Sequence, residues 1–146
     1  MGTAVAAAAE LAPGEAEREL LRLRSAHPRL TIQLVVMNRL PGAGAVMMIA
    51  AQTLRAKETG ALLAAKPEVD LLLRLAGTSQ ITEALQKHGY GAQGAKMLVA
   101  AGSNKGVERL RRELSGSKSY RVLEPERVDE EDLDMVEVAA LLGTKT

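Results

Sequence analysis

Four groups of residues have types and spacings that could do chemistry. Gly42-Ala43-Gly44-Ala45-Val46-Met47 lies between an aliphatic run and a helix-like one, where glycines can expose amides to a phosphate. Met47 stands where a dinucleotide fingerprint needs its third glycine, and no Gly-Lys-Ser or Gly-Lys-Thr makes a P-loop, so a plain turn is the better reading. His27 precedes Pro28 and His88 precedes Gly89, with no second histidine or carboxylate one helical turn away, so no metal site is expected. The acids from Asp129 to Asp134 fall where a helix begins, and compensating its dipole accounts for them. The fourth group is cationic: Arg55, Lys57 and Lys66, followed by the polar loop from Gly77 to Gln80, are residues of the kind that contact phosphates, although a solvated surface would also use them. No nucleophile, base and orienting acid stand together, so the expectation is a binding protein without catalytic residues or cofactor.

Composition narrows the class. The 146 residues suit one domain, residues 1–146, and 47% hydrophobic with 25% charged residues is the balance of a folded globular chain. Cysteine is absent, which removes disulfides, thiolate metal sites and thiol nucleophiles and fits a cytoplasmic setting. Phe and Trp are absent and Tyr90 and Tyr120 are the only aromatics, so base stacking cannot be a major binding device. The longest apolar stretch, Leu40 to Ala51, is broken by Pro41, Gly42 and Gly44 and is too short for a bilayer. The near-zero net charge hides an asymmetry: residues 1–120 carry 16 basic and 10 acidic side chains, net +6, and residues 121–146 carry 3 and 8, net −5.

The elements that must position these groups follow from periodicity and punctuation. Thr3 to Ala9 reads as an opening strand ended by Pro13-Gly14, and Glu15 to Ala26 as an amphipathic helix with acids in its first turn. Leu30 to Val36 is β-rich, and Ala45 to Thr59 repeats its apolar residues at helical spacing before Gly60. After Pro67, the aliphatic run Val69 to Leu75 reads as a near-central strand, and Thr78 or Ser79 caps a short helix with Ile81, Ala84 and Leu85 inward. Lys96 to Ala101 is a strand, Lys105 to Leu114 a helix with an arginine-rich outer face, Tyr120 to Leu123 an edge strand, and Asp129 to Leu142 a last helix. The alternation predicts a single α/β domain with a mixed β-sheet packed against helices.

The last helix carries more apolar residues than one stripe can hold. Met135, Val136, Val138, Leu141 and Leu142 point in too many directions for one sheet face, so the helix either sinks deeply into its own core or, as expected here, is partly exposed for a partner.

Met48 to Leu54 and the run Asp70-Leu71-Leu72-Leu73-Arg74-Leu75-Ala76-Gly77-Thr78-Ser79-Gln80-Ile81-Thr82-Glu83-Ala84-Leu85-Gln86-Lys87-His88-Gly89, with Met97-Leu98-Val99 beyond, resemble the small KEOPS-complex subunit family, the PRPK-binding protein family, in its archaeal-type form. That family has an apolar-Ala-Ala-Asn helix start, an acid followed by aliphatics, and an Ile-Ser-x-Ala-aliphatic helix ending in Gly. Here Gln52 replaces the Asn, Thr53 a frequent Lys and Ser79 an archaeal Arg, while Arg55 and Lys57 offer cations one turn on. The resemblance implies a non-catalytic subunit that binds the complex's atypical protein kinase and recruits tRNA by its 3′ CCA end for threonylcarbamoyl-adenosine modification at position 37, meeting other KEOPS subunits only indirectly. On that basis the expected tRNA-binding residues are Arg55, Lys57, Lys66, Gly77, Gln80 and Ile81, and the expected kinase interface is Met135, Val136, Val138, Leu141 and Leu142. The alternative is a small-molecule or nucleotide-binding α/β domain of a transferase that uses the Gly42 to Gly44 turn.

Overall fold

The computed structural model describes residues 2–12, 14–38, 40–89, 91 and 93–142; Pro13 and Tyr90, singled out above, lie outside them. The elements run β1 (Gly2–Ala9), α1 (Glu15–Ala26), β2 (Thr31–Val36), α2 (Ala43–Thr59), α3 (Pro67–Ala76), α4 (Ile81–His88), β3 (Lys96–Ser103), α5 (Asn104–Ser115), β4 (Tyr120–Val122) and α6 (Glu130–Leu141). The four strands form one sheet in the order β2-β3-β1-β4.

Every neighbouring pair is antiparallel, with Val5 opposite Ala100, Leu34 opposite Leu98 and Ala8 opposite Arg121. The sheet is therefore antiparallel throughout, where a mixed one was expected. Parallelism survives only between strands that do not touch: β1 and β2 flank β3, and β3 and β4 flank β1. Two split β-α-β units thus interlock, the ferredoxin-like arrangement, with α2, α3 and α4 inserted between β2 and β3 and α6 appended.

Strand side chains alternate between two cores, as a period of two requires. Val5, Ala7, Leu98 and Ala100 pack with Leu20 and Leu23 of α1 and Val107, Leu110 and Leu114 of α5. Ala4, Ala6, Met97 and Val99 face the opposite way, against α2, α3 and Val136 and Ala139 of α6. A sheet buried on both faces explains why β1 and β3 read as continuous small apolar runs.

The segment expected as a strand from Val69 to Leu75 is the helix α3. Pro67 occupies its first turn, where a missing N–H costs nothing, and Glu68 and Asp70 complement the dipole. The run is leucine-rich, with Val69 its one β-branched residue, and leucine favours helices. Residues 70–75 are all buried, so the apolar stripe broadens until it imitates a central strand. A second difference lies in α4: Ala84 faces the core, but Ile81 and Leu85 are 48% and 50% exposed.

β2 is an edge strand whose outward backbone groups are occupied by side chains. Arg24 donates to Ile32 O from Nε (3.0 Å) and Nη2 (2.8 Å), Leu34 N donates to Gln33 Oε1 (3.1 Å), and His88 Nδ1 lies 3.2 Å from Val36 O. Those bonds close the edge against a further strand.

Candidate functional site

The glycine turn that would serve a nucleotide is already filled by the chain itself. α2 begins at Ala43, two residues earlier than expected, so Gly44 lies inside the helix. A methyl group there would stand 2.3 Å from the carbonyl oxygen of Glu126, so glycine at this position admits the strand-to-helix connection of the C-terminal segment. Gly42 N donates to Asp132 Oδ2 at 3.0 Å. The amide that would greet a phosphate already holds a carboxylate from α6.

Both histidines have structural surroundings. His27 is buried with Nε2 3.2 Å from Glu113 Oε1, and His88 is buried against the β2 edge. Among the described residues no three His, Asp or Glu side chains gather to hold a metal ion. Arg22 bonds both Glu19 and Glu113, and Tyr120 Oη donates to Glu19 Oε1 at 3.0 Å, which joins α1, α5 and β4 by one polar chain. The Arg22 bond holds the Glu19 carboxyl below its ordinary range, although partial burial opposes this, and Tyr120 adds to the lowering. Burial, followed by its bond to Glu19, pushes the Tyr120 hydroxyl upward.

α6 is clamped to the inserted helices at three backbone points. Asp132 takes Gly42 N, Gln52 Nε2 donates to Val136 O at 3.0 Å, and Arg74 Nη1 donates to Ala139 O at 3.1 Å. Arg74 is itself held by Asp70, whose Oδ1 also accepts from Thr53 Oγ1 at 2.6 Å and whose Oδ2 accepts from Leu63 N at 2.9 Å. Asp70 is 0% exposed, so this buried pair is fully bonded, as burial of charge demands.

That clamp sorts the residues expected at the kinase interface. Val136 and Leu142 are buried and belong to the core, which removes them from the outer face. Met135, Val138 and Leu141 are 39%, 46% and 55% exposed, and Leu133 is 40% exposed. Met135 and Val138 line a hollow of about 350 Å3 with Arg74, Leu75, Ala76 and Gly77 at the end of α3, Lys87 and His88 of α4, and Asp134. Gly77 closes α3 at φ +70°, and Val138 Cγ1 would be 3.7 Å from a Cβ placed there.

The six residues expected to meet tRNA are all exposed but do not gather in one place. Thr53 and Leu63 both bond Asp70, so the second half of α2 and the start of α3 lie together. Lys57 follows Thr53 by one helical turn and Lys66 caps α3, whereas Arg55, about 200° around α2 from Thr53, points away from α3. Gly77, Gln80 and Ile81 stand at the other end of α3, about 15 Å along a helix of ten residues. Ile81 and Leu85 fall on the opposite flank of α4 from Lys87 at 100° per residue, so they are not part of the hollow's wall. A second basic surface runs along α5, where Lys105, Arg109 and Arg112 share one face with Glu108, which pairs with Arg112 at 3.9 Å.

No protein-family model and no curated protein matches the chain. No helix among the described residues is long and apolar enough to cross a membrane.

Proposed function

We propose that the chain is the small, non-catalytic subunit of a KEOPS complex, which binds the atypical kinase through α6 and recruits tRNA by its 3′ CCA end for threonylcarbamoyl-adenosine modification at position 37, in the cytoplasm. The observation that carries this reading is the outward apolar surface of α6. Three backbone clamps leave Met135, Val138 and Leu141 in solvent at a helix that its own core has already satisfied. Exposed apolar groups held on a rigid element are what a protein interface uses.

The RNA half of the reading is supported by the exposed cations Arg55, Lys57 and Lys66 and by the basic face of α5, none of which lines the hollow beside α6. Phosphate contacts by exposed cations position an RNA without needing aromatic stacks. The resemblance of Asp70 to Gly89 to the KEOPS small-subunit pattern supplies the identity of the partners. The nucleotide-binding alternative loses its footing at Gly42, whose amide bonds Asp132.

The test pairs two measurements: a gel shift of intact tRNA against tRNA lacking its terminal CCA, and calorimetry of the isolated protein with the kinase subunit. Tighter binding of intact tRNA together with a saturable kinase isotherm supports the reading; equal affinity for the two RNAs and no kinase binding defeats it.

A further inference from the structure

The hollow beside α6 has a composition that selects its occupant. Of the charged groups on its wall, Arg74 is committed to Asp70 and Ala139 O, and Lys87 Nζ pairs with Glu83 at 2.9 Å. Asp134 remains: it is exposed and its carboxylate makes no hydrogen bond or ion pair with another described residue. The expectation that dipole compensation accounts for every acid from Asp129 to Asp134 fails here, because Asp134 lies beyond the first turn of α6, which Glu130, Glu131 and Asp132 fill. Around it the wall is aliphatic, from Leu75, Ala76, Met135 and Val138. Glu130, Glu131 and Glu137, exposed on the same helix and likewise without ion pairs among the described residues, extend the negative field along the rim.

We propose that this hollow receives a lysine or arginine side chain from the protein partner, its methylene stem against Met135 and Val138 and its charge on the Asp134 carboxylate. The proposal rests on the reading that α6 faces a protein. A basic side chain is the one type that is apolar along its stem and cationic at its tip, which matches an aliphatic wall ending in a carboxylate. The acids make this surface repel the phosphates of RNA, which sets Gly77, on the hollow's wall, apart from the expected tRNA contacts Arg55, Lys57 and Lys66, and a second copy of the chain meeting it across a two-fold axis would bring like charges together.

Two measurements test it. In the first, N-acetyl-arginine amide is titrated into the free protein while the Met135 and Val138 methyl resonances are followed, with the neutral N-acetyl-citrulline amide as control. Saturable shifts with the arginine compound, absent with citrulline and lost in Asp134→Asn, are expected; equal shifts from both, shifts that persist in Asp134→Asn, or no shift with either overturns the proposal. In the second, the kinase subunit is titrated into wild type, Asp134→Asn and Asp134→Lys. Losses of roughly tenfold and more than tenfold are expected, with unchanged thermal melts because Asp134 supports no other residue. If the kinase binds wild type and both variants equally, the proposal fails while the kinase reading stands. If the kinase binds none of them, the kinase reading fails and the arginine titration decides the hollow alone. Stronger tRNA binding by Asp134→Lys with unchanged kinase binding, or a concentration-dependent dimer abolished by Asp134→Lys, assigns the surface to RNA or to self-association and likewise overturns it.

Discussion

The guanidinium of Arg74 bridges the carboxylate of Asp70, four residues back on α3, and the carbonyl oxygen of Ala139 on α6, 65 residues further along the chain. One buried cation thereby satisfies a buried acid and fastens the C-terminal helix. Its removal leaves Asp70 in the interior with only Thr53 Oγ1 and Leu63 N as donors. Arg74→Met is expected to lower unfolding free energy by about 3–5 kcal/mol in urea titration, and Arg74→Met with Asp70→Asn to recover part of that loss. An unchanged urea midpoint for the single variant would show that the pair does not hold the helices together.

Gly44→Ala sets two effects against each other. Alanine is favoured over glycine by about 1 kcal/mol in a helix interior, and by no more than that at Gly44, the second residue of α2. The new methyl would stand 2.3 Å from Glu126 O, a backbone atom that moves only if the segment before α6 moves with it. Overpacking of this kind costs about 1–3 kcal/mol, so the net change is destabilising, at about 2–4 °C of melting temperature per kcal/mol. A raised melting temperature would mean that the segment yields freely.

The elements are legible in the sequence where local pattern and tertiary role agree. Leu20 and Leu23 among arginines, Val107 with Leu110 and Leu114, and Gly60 after Thr59 mark their helices because one face of each meets solvent. α3 imitates a strand because its burial removes that contrast, and its unbroken apolarity outweighs the helical preference of its leucines. The pairing of β1 with β3 depends on residues about ninety positions apart, and no local pattern chooses between an antiparallel and a mixed sheet. At the candidate site, the surplus of apolar residues on α6 points correctly to outward side chains at 135, 138 and 141, but which of the five face outward depends on where Gln52 and Arg74 grip the helix. The Asp132 bond to Gly42, which decides the glycine turn, spans 90 residues and leaves no trace in spacing.

The chain of Tyr120, Glu19 and Arg22 gives stability a defined pH dependence. The Glu19 carboxyl is lowered from its ordinary value of 4.5, so its contribution is complete above about pH 4.5 and is lost as pH falls through the folded value. The Tyr120 hydroxyl is raised from 10.0, so its contribution is complete below pH 10 and is lost as pH rises beyond it. Urea midpoints measured across pH should show Glu19→Gln flattening the acid limb and Tyr120→Phe flattening the alkaline limb. Identical limbs in wild type and variants would remove this network from the balance.

Charge reversal at the α2–α3 end tests the phosphate contacts. Arg55→Glu, Lys57→Glu and Lys66→Glu are each expected to weaken tRNA binding and to reduce the logarithmic salt slope by about 0.7–0.9 for each phosphate no longer neutralised. Thermal melts should stay within about 0.5 kcal/mol of wild type, because the three side chains are exposed. Wild-type affinity in all three would move the RNA to the face of Lys105, Arg109 and Arg112.

Substitutions along α6 separate its two faces. Val138 and Leu141 are 46% and 55% exposed, so an arginine at either position can extend into solvent without entering the core. Val136 is 8% exposed and packs with Leu71 and Ala50 in the same apolar cluster, so Val136→Arg must bury a charge or expel the helix. Val138→Arg and Leu141→Arg are therefore expected to melt like wild type yet lose more than about 1 kcal/mol of kinase affinity in calorimetry, the minimum for an anchor at an interface centre, while Val136→Arg unfolds at markedly lower temperature. Unfolding by Val138→Arg would place that side chain in the core despite its exposure. Folded Val138→Arg and Leu141→Arg proteins that bind the kinase normally would move the interface to the exposed pair Ile81 and Leu85 of α4, where Leu85→Arg is the next substitution to measure.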